Sequence, residues 1–159
     1  MSVGPACSRG YTVFLTEDAP MKILLAVDGS PFTKKMLAYL TTHELFTQGN
    51  DYTVLTVQPE LPPHARAAVG KKEVDLYYAE EAEKVLAPVS KFLLRHGIDA
   101  KSSWKTGHAG ETIAEFAASG KFDLLIMGSH GHGTLVNLVM GSVATKVLAH
   151  CQVPVLLVR

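Results

Sequence analysis

Short apolar runs alternate along the chain with segments of helical periodicity, and no other feature of the sequence constrains the fold as much. Five runs predict β-strands, at residues 23–27, 51–58, 99–107, 122–128 and 153–158. The first, ILLAV, is apolar at every position, as expected of a parallel strand that is buried on both faces of its sheet. Because a helical segment separates each strand from the next, the alternation predicts a single five-stranded parallel sheet of the α/β class, with helices on both faces.

The helical segments carry start signals, stop signals and apolar stripes. Ser30 followed by Pro31 predicts a helix start, because serine can cap a helix and proline suits its first turn. A second, longer helix contains Pro88, which should kink or split it. The proline-marked stretch 59–72 before that helix predicts a long loop, mobile without ligand, and Trp104 is expected in the core. The two helices should bury Met36, Leu37, Leu40 and Leu45, and Tyr78, Ala82, Val85, Leu86, Val89, Phe92 and Leu93, respectively.

Length and composition limit the classes of protein that this chain can represent. The 159 residues suffice for one ordinary domain. Fifteen basic residues balance fifteen acidic ones, which argues against bulk nucleic-acid binding, and no apolar run approaches membrane-spanning length. The two cysteines, Cys7 and Cys151, form no disulfide framework and predict reduced thiols in a cytoplasmic protein.

The first twenty residues differ from the rest of the chain. We expect residues 1–20 to be a loosely ordered extension, with Met21 a plausible natural start, and residues 21–159 to form the domain. The alternative is an additional strand at YTVFL, residues 11–15.

A glycine-rich stretch, MGSHGHGTLVNLVMGS at residues 127–142, follows the fourth predicted strand. Gly128, Gly131 and the pair Gly141-Ser142 have neither P-loop nor G-x-G-x-x-G spacing. Glycines let backbone amides approach an anion, and the predicted helix that Gly141 and Ser142 open offers free amides and a positive dipole end. Spacing alone leaves two interpretations open, a phosphate site or a simple connector with Ser142 as a helix cap.

Two further features of the sequence allow more than one interpretation. His130 and His132 could suggest zinc, but no nearby cysteine or acidic residue completes a set of four ligands, so we expect no metal held by protein side chains. Asp28, at the end of the first strand, either forms a turn with Gly29 or accepts hydrogen bonds from a ligand.

The spacing of the glycine stretch resembles the G-x2-G-x9-G-[ST] motif of ATP-binding members of the universal stress protein family. Similar stretches occur in the same order elsewhere, and together they cover residues 21–159: KILLAVDGS, TGHAGETIAEFA, FDLLIMGSHG, GSVATKVLAH and VPVLLVR. The resemblance implies a Rossmann-like sheet with strand order 3-2-1-4-5 and a bound ATP. It also implies a homodimer joined through strand 153–158, an edge that would otherwise expose unpaired backbone groups.

The resemblance also implies a set of binding residues. Asp28 would contact the nucleoside, Ala26 and Val57 would line the adenine pocket, and the glycine stretch would hold the phosphates, which would themselves carry any Mg²⁺. The complete implied set is Ala26, Asp28, Val57, Met127, Gly128, His130, Gly131, Gly141, Ser142 and Val143.

Three functional hypotheses follow, and no convincing catalytic set accompanies them. The first is a small ATP-binding stress-response regulatory protein whose nucleotide state alters its interactions with an unknown protein partner. The second is a slow ATPase with His130 or His132 near the γ-phosphate, and the third is a dimeric scaffold that needs no nucleotide.

Overall fold

The computed structural model describes residues 20–47, 49–133 and 139–159. The expectations for residues 1–19, including the strand at YTVFL and Cys7, lie outside the described residues, as does the side chain of Leu45. The strands are β1 Lys22–Ala26, β2 Asp51–Gln58, β3 Ala100–Thr106, β4 Leu124–Gly128 and β5 Val155–Val158. The helices are α1 Pro31–Thr42, α2 Glu44–Thr47, α3 Pro63–Val69, α4 Lys71–Arg95, α5 Ala109–Ser119 and α6 Ser142–His150.

The five strands form one sheet in the order β3-β2-β1-β4-β5, and each neighbouring pair is parallel. This confirms the predicted α/β class and strand order. Consecutive residues of β1 point to opposite faces of the sheet, as the pleat of a strand requires. Ile23 and Leu25 contribute to a core with helices α1 and α4, whereas Leu24 and Ala26 contribute to a core with α5 and α6. The sheet is therefore covered by helices on both faces, as predicted.

Helix α1 begins as its sequence signals indicate. The hydroxyl of Ser30, the N-cap residue, accepts from the amide of Thr33, and Pro31 occupies the first helical position. The side chains of its residues Met36, Leu37 and Leu40 are buried, as predicted. The start of α1 lies a few residues after the carboxyl end of β1.

The segment between β2 and the long helix α4 corrects the prediction of a loop over 59–72. Residues Pro63–Val69 form helix α3, and α4 already begins at Lys71. Pro63 occupies an early helical position, where its missing N–H is harmless, and HARAAV contains good helix formers. Gly70, with φ of 95°, separates the two helices. Helix α3 has no buried residue.

Two other expectations need correction. Pro88 was expected to kink or split its helix. It does not split it, because α4 runs without interruption from Lys71 to Arg95, and the kink stays a prediction. Pro88 is exposed, so the carbonyl that it leaves without a partner can be hydrated. Trp104 is 37% exposed rather than buried, because it lies on the edge strand β3, where only one side of the strand is paired. Among the described residues, no helix has the length and apolar character needed to cross a membrane.

Candidate functional site

A pocket of about 300 Å³ lies at the carboxyl ends of strands β1, β2 and β4. Strand β1 pairs with both β2 and β4, and the connections that follow β1 and β4 diverge here, which is the usual place for a ligand in an open parallel sheet. The glycine stretch and the start of helix α6 complete the wall. All ten residues of the predicted binding set line this pocket: Ala26, Asp28, Val57, Met127, Gly128, His130, Gly131, Gly141, Ser142 and Val143.

The carboxylate of Asp28 is held on one side by the start of helix α1. Its Oδ1 accepts from the backbone amide of Ser30 at 2.9 Å and from the hydroxyl of Thr33 at 2.8 Å. The amide of Asp28 in turn donates to Thr33 Oγ1 at 3.2 Å. The other carboxylate oxygen, Oδ2, lies toward the glycine stretch, because a Cβ added to Gly131 would lie 2.7 Å from it. Asp28 therefore forms its turn through one oxygen and presents the other to the pocket.

Three of the four glycines of the stretch are constrained by space and not by unusual backbone angles. Gly128, Gly131 and Gly141 do not adopt the left-handed conformation. A Cβ on Gly128 would lie 2.7 Å from Cβ of Phe32, and a Cβ on Gly141 would lie 3.1 Å from Cα of His130. A side chain at Gly128 would displace the stretch from α1, and one at Gly131 would displace it from the end of β1. A side chain at Gly141 would separate two parts of the stretch, and each change would alter the shape of the pocket.

Helix α6 begins at the pocket without a side-chain cap. Gly141 is its N-cap residue, and the first intrahelical bond runs from the amide of Thr145 to the carbonyl of Gly141 at 3.0 Å. The amides of the three residues before Thr145 have no partner within the helix, and they carry the positive end of its dipole. Ser142 and Val143 bring this helix start to the pocket wall, where it can bind an anion.

Both histidines of the stretch make hydrogen bonds within the protein. Nδ1 of His130 lies 2.9 Å from the hydroxyl of Ser129, and its ring lies 5.0 Å from the ring of Phe32. Nε2 of His132 lies 2.7 Å from the backbone oxygen of Asp28, so this nitrogen carries the proton and donates it. Within the described ranges, no three residues of the types His, Cys, Asp and Glu cluster closely enough to hold a metal ion.

The deep part of the pocket is apolar. Ala26, Val57 and Met127 meet there with Ala109 and Ile113 from the first turns of helix α5. The sequence-based set did not include these two α5 residues, although they belong to the quoted stretch TGHAGETIAEFA. It also omitted Val27, Thr33, His132, Gly133 and Ala144, which line the same pocket.

Comparisons with known proteins agree with this architecture. The model of the universal stress protein family matches residues 20–159. Universal stress protein Slr1230 of Synechocystis is 33% identical over 138 residues, which is 87% of this chain and 42% of the relative. The chain thus spans less than half of that relative, and it also spans less than half of MJ0531 of Methanocaldococcus jannaschii, which is 34% identical over 80 residues.

Solved structures show the same fold. The structure of MJ0577 from Methanocaldococcus jannaschii is 26% identical, with a TM-score of 0.70, over 88% of this chain and 96% of that one. A universal stress protein of Archaeoglobus fulgidus, solved in complex with dAMP, is 22% identical, with a TM-score of 0.60, over 89% of this chain and 99% of that one. Since the family model covers all of the described residues, the protein belongs to the universal stress protein family.

Proposed function

We propose that this protein binds ATP in the pocket between β1, β4 and the start of α6, and acts as a small stress-response regulatory protein. One observation carries the proposal. The glycine stretch, the start of helix α6 without a side-chain cap, and the Asp28 carboxylate with only Oδ1 hydrogen-bonded to α1 all line one pocket. Its volume of about 300 Å³ lies at the lower end of the range of about 300–1,000 Å³ that is usual for small-molecule sites.

The pocket offers a chemically suitable surface to each part of an adenine nucleotide. The adenine ring fits the apolar part near Ala26, Val57 and Ile113, and the ribose hydroxyls suit Oδ2 of Asp28. The phosphates suit the amides at the start of α6. The helix dipole supplies only about 0.3–1 kcal/mol at an exposed position, so several amide hydrogen bonds must supply most of the affinity for the phosphates. Mg²⁺ can be carried by the phosphates with water as its other ligand, and then needs no protein cage.

The Archaeoglobus protein, which has the same fold, binds dAMP. That complex supports an adenine nucleotide as the class of ligand. The choice of ATP rests on the spacing Gly128, Gly131, Gly141-Ser142. A Cβ on Gly128 or Gly131 would lie 2.7 Å from Phe32 or Asp28, and a Cβ on Gly141 would lie 3.1 Å from the backbone of the stretch.

The test begins with the purified protein. Acid release of its bound small molecules, followed by chromatography, should yield ATP, and calorimetry on the stripped protein should show saturable binding of ATP with Mg²⁺. A pull-down with and without ATP should then recover different partners. Steady production of ADP would favour the slow ATPase, and absence of both nucleotide and calorimetric binding would leave only the dimeric scaffold.

The proposal includes a homodimer joined through strand β5. This strand is the last in the sheet order and pairs only with β4 among the described strands. Its residues Val155, Leu156 and Leu157 are only partly buried, and an apolar edge with unpaired backbone groups invites a second strand. A second copy of β5, related by a twofold axis, can close both edges at once.

A cytoplasmic location also stays part of the proposal and rests on the isolated cysteines.

A further inference from the structure

We propose that Thr33 is a positioning residue of the nucleotide site, whose hydroxyl holds the Asp28 carboxylate so that only Oδ2 faces the ribose hydroxyls. The inference rests on the proposed function and deepens it, because it assigns the source of selectivity for a ribose over a sugar without hydroxyls. Thr33 itself would contact the carboxylate rather than the ribose.

The hydroxyl of Thr33 makes two hydrogen bonds with Asp28. It donates its proton to Oδ1 at 2.8 Å and accepts from the amide of Asp28 at 3.2 Å, so one side chain fixes both the backbone and the carboxylate of the same residue. A hydroxyl has one donor and two acceptor positions, so the two bonds are compatible. Thr33 is 3% exposed and lines the pocket, so water could replace a deleted hydroxyl only from the pocket side.

The two oxygens of Asp28 have different surroundings. Oδ1 receives two donors, the amide of Ser30 and the hydroxyl of Thr33. Oδ2 lies on the side of Gly131, at the pocket wall. Rotation about the last torsion of an aspartate is soft, so a carboxylate that has lost one of two anchors samples other orientations. Without the Thr33 hydroxyl, Oδ2 would no longer be presented in one direction to a ligand.

This arrangement predicts a loss of selectivity and not merely of affinity. The experiment measures binding of ATP and of 2′,3′-dideoxy-ATP to the full chain by calorimetry. A hydrogen bond to a charged group corresponds to a preference of about 10- to 150-fold, which is the preference for ATP expected of the wild type. Thr33→Val keeps the β-branched shape and removes the hydroxyl, and should reduce this preference to about threefold or less.

The controls separate positioning from general stability. Thr33→Ser keeps the hydroxyl and should restore the preference, whereas Asp28→Ala should abolish it. Thr41→Val removes a hydroxyl in the same helix that bonds the carbonyl of Leu37, and should leave the preference unchanged. If Thr33→Val does not fold, Thr33→Ala, which favours the helix, gives the same comparison.

The outcomes distinguish this inference from the proposed function. A Thr33 variant without its hydroxyl that prefers ATP as strongly as the wild type would overturn the inference while nucleotide binding stands. Equal loss of affinity for both nucleotides, with an unchanged ratio, would also overturn it and make Thr33 purely structural. A wild type that binds neither nucleotide would overturn the proposed function and the inference together.

Discussion

Replacing Gly131 with alanine tests whether the gap between the glycine stretch and strand β1 is a binding site. The added Cβ would lie 2.7 Å from Oδ2 of Asp28. A carbon and an oxygen without a covalent bond prefer about 3.3 Å or more, so this oxygen would have to retreat by roughly 0.6 Å. The retreat is resisted because the other oxygen of Asp28 is held by two hydrogen bonds, at 2.8 and 2.9 Å.

The effect on affinity follows from the contact that is displaced. If Oδ2 accepts from the ribose, its loss removes one hydrogen bond to a charged group, which is about 1.5–3 kcal/mol or about 10- to 150-fold in Kd. The free energy of unfolding should change much less. Gly131 does not use the left-handed conformation, so alanine stabilises by about 0.4–1 kcal/mol through the unfolded chain, and this offsets part of the strain at Asp28.

Calorimetry with ATP and urea unfolding of the same preparations measure both quantities. Gly133→Ala is the matched control, because Gly133 lines the same pocket and a Cβ there meets nothing within 4 Å. We expect this control to change affinity by no more than about twofold, as for a surface substitution of about 0.5 kcal/mol. Wild-type affinity in a folded Gly131→Ala protein, or an equal loss in both variants, would refute the geometric reasoning.

Three further perturbations test other parts of the molecule. Asp28→Ala should weaken adenosine as well as ATP in calorimetry, because the proposed contact is to the nucleoside; unchanged adenosine affinity would move Asp28 to the phosphates. Lysine at both Val155 and Leu157 should convert a dimer into monomers or insoluble protein in sedimentation experiments, and a soluble dimer would exclude strand β5 as the interface. Burial raises the pKa of Tyr52, whose hydroxyl donates to the carbonyl of Phe46, above the value of 10.0 that an exposed tyrosine has. The folded state therefore retains this proton more tightly than the unfolded chain, so its contribution to stability is complete below pH 10 and declines as the pH rises further. Tyr52→Phe should flatten that decline in urea unfolding above about pH 10, and parallel curves for the two proteins would contradict the assignment.

The elements of the fold were largely predictable because local periodicity reports burial. The uniformly apolar run at β1 identifies a strand that must be covered on both faces. The apolar stripe along α4 identifies a helix that must be covered on one face. Prediction failed where tertiary position decides exposure. Trp104 has a large aromatic side chain of the kind expected in a core, but its strand lies at the sheet edge. The segment 59–72 has the prolines of a loop, but one of them opens helix α3.

The site shows the same division. Residues of the predicted set lie near the ends of three strands, in the glycine stretch or at the start of α6, and a parallel sheet necessarily brings the strand ends to one edge. Ala109 and Ile113 were missed because the apolar stripe of helix α5 predicts its buried face but not which part of that face lines the pocket. Thr33 was missed because its spacing from Ser30 predicts only the first turn of a helix.

By itself, the sequence determined the five strands and the longer helices, that the sheet is parallel, and which glycine stretch follows β4. These properties depend on neighbours a few residues apart, which composition and periodicity record. Only the tertiary structure decided that Oδ1 of Asp28 is anchored by Thr33 while Oδ2 lies beside Gly131. It also decided that His132 donates to the carbonyl of Asp28, 104 residues away in the chain. The contacts of Asp28 with Gly131 and His132 arise from strand order and register, because pairing of β1 with β4 brings together two loops that are distant in sequence.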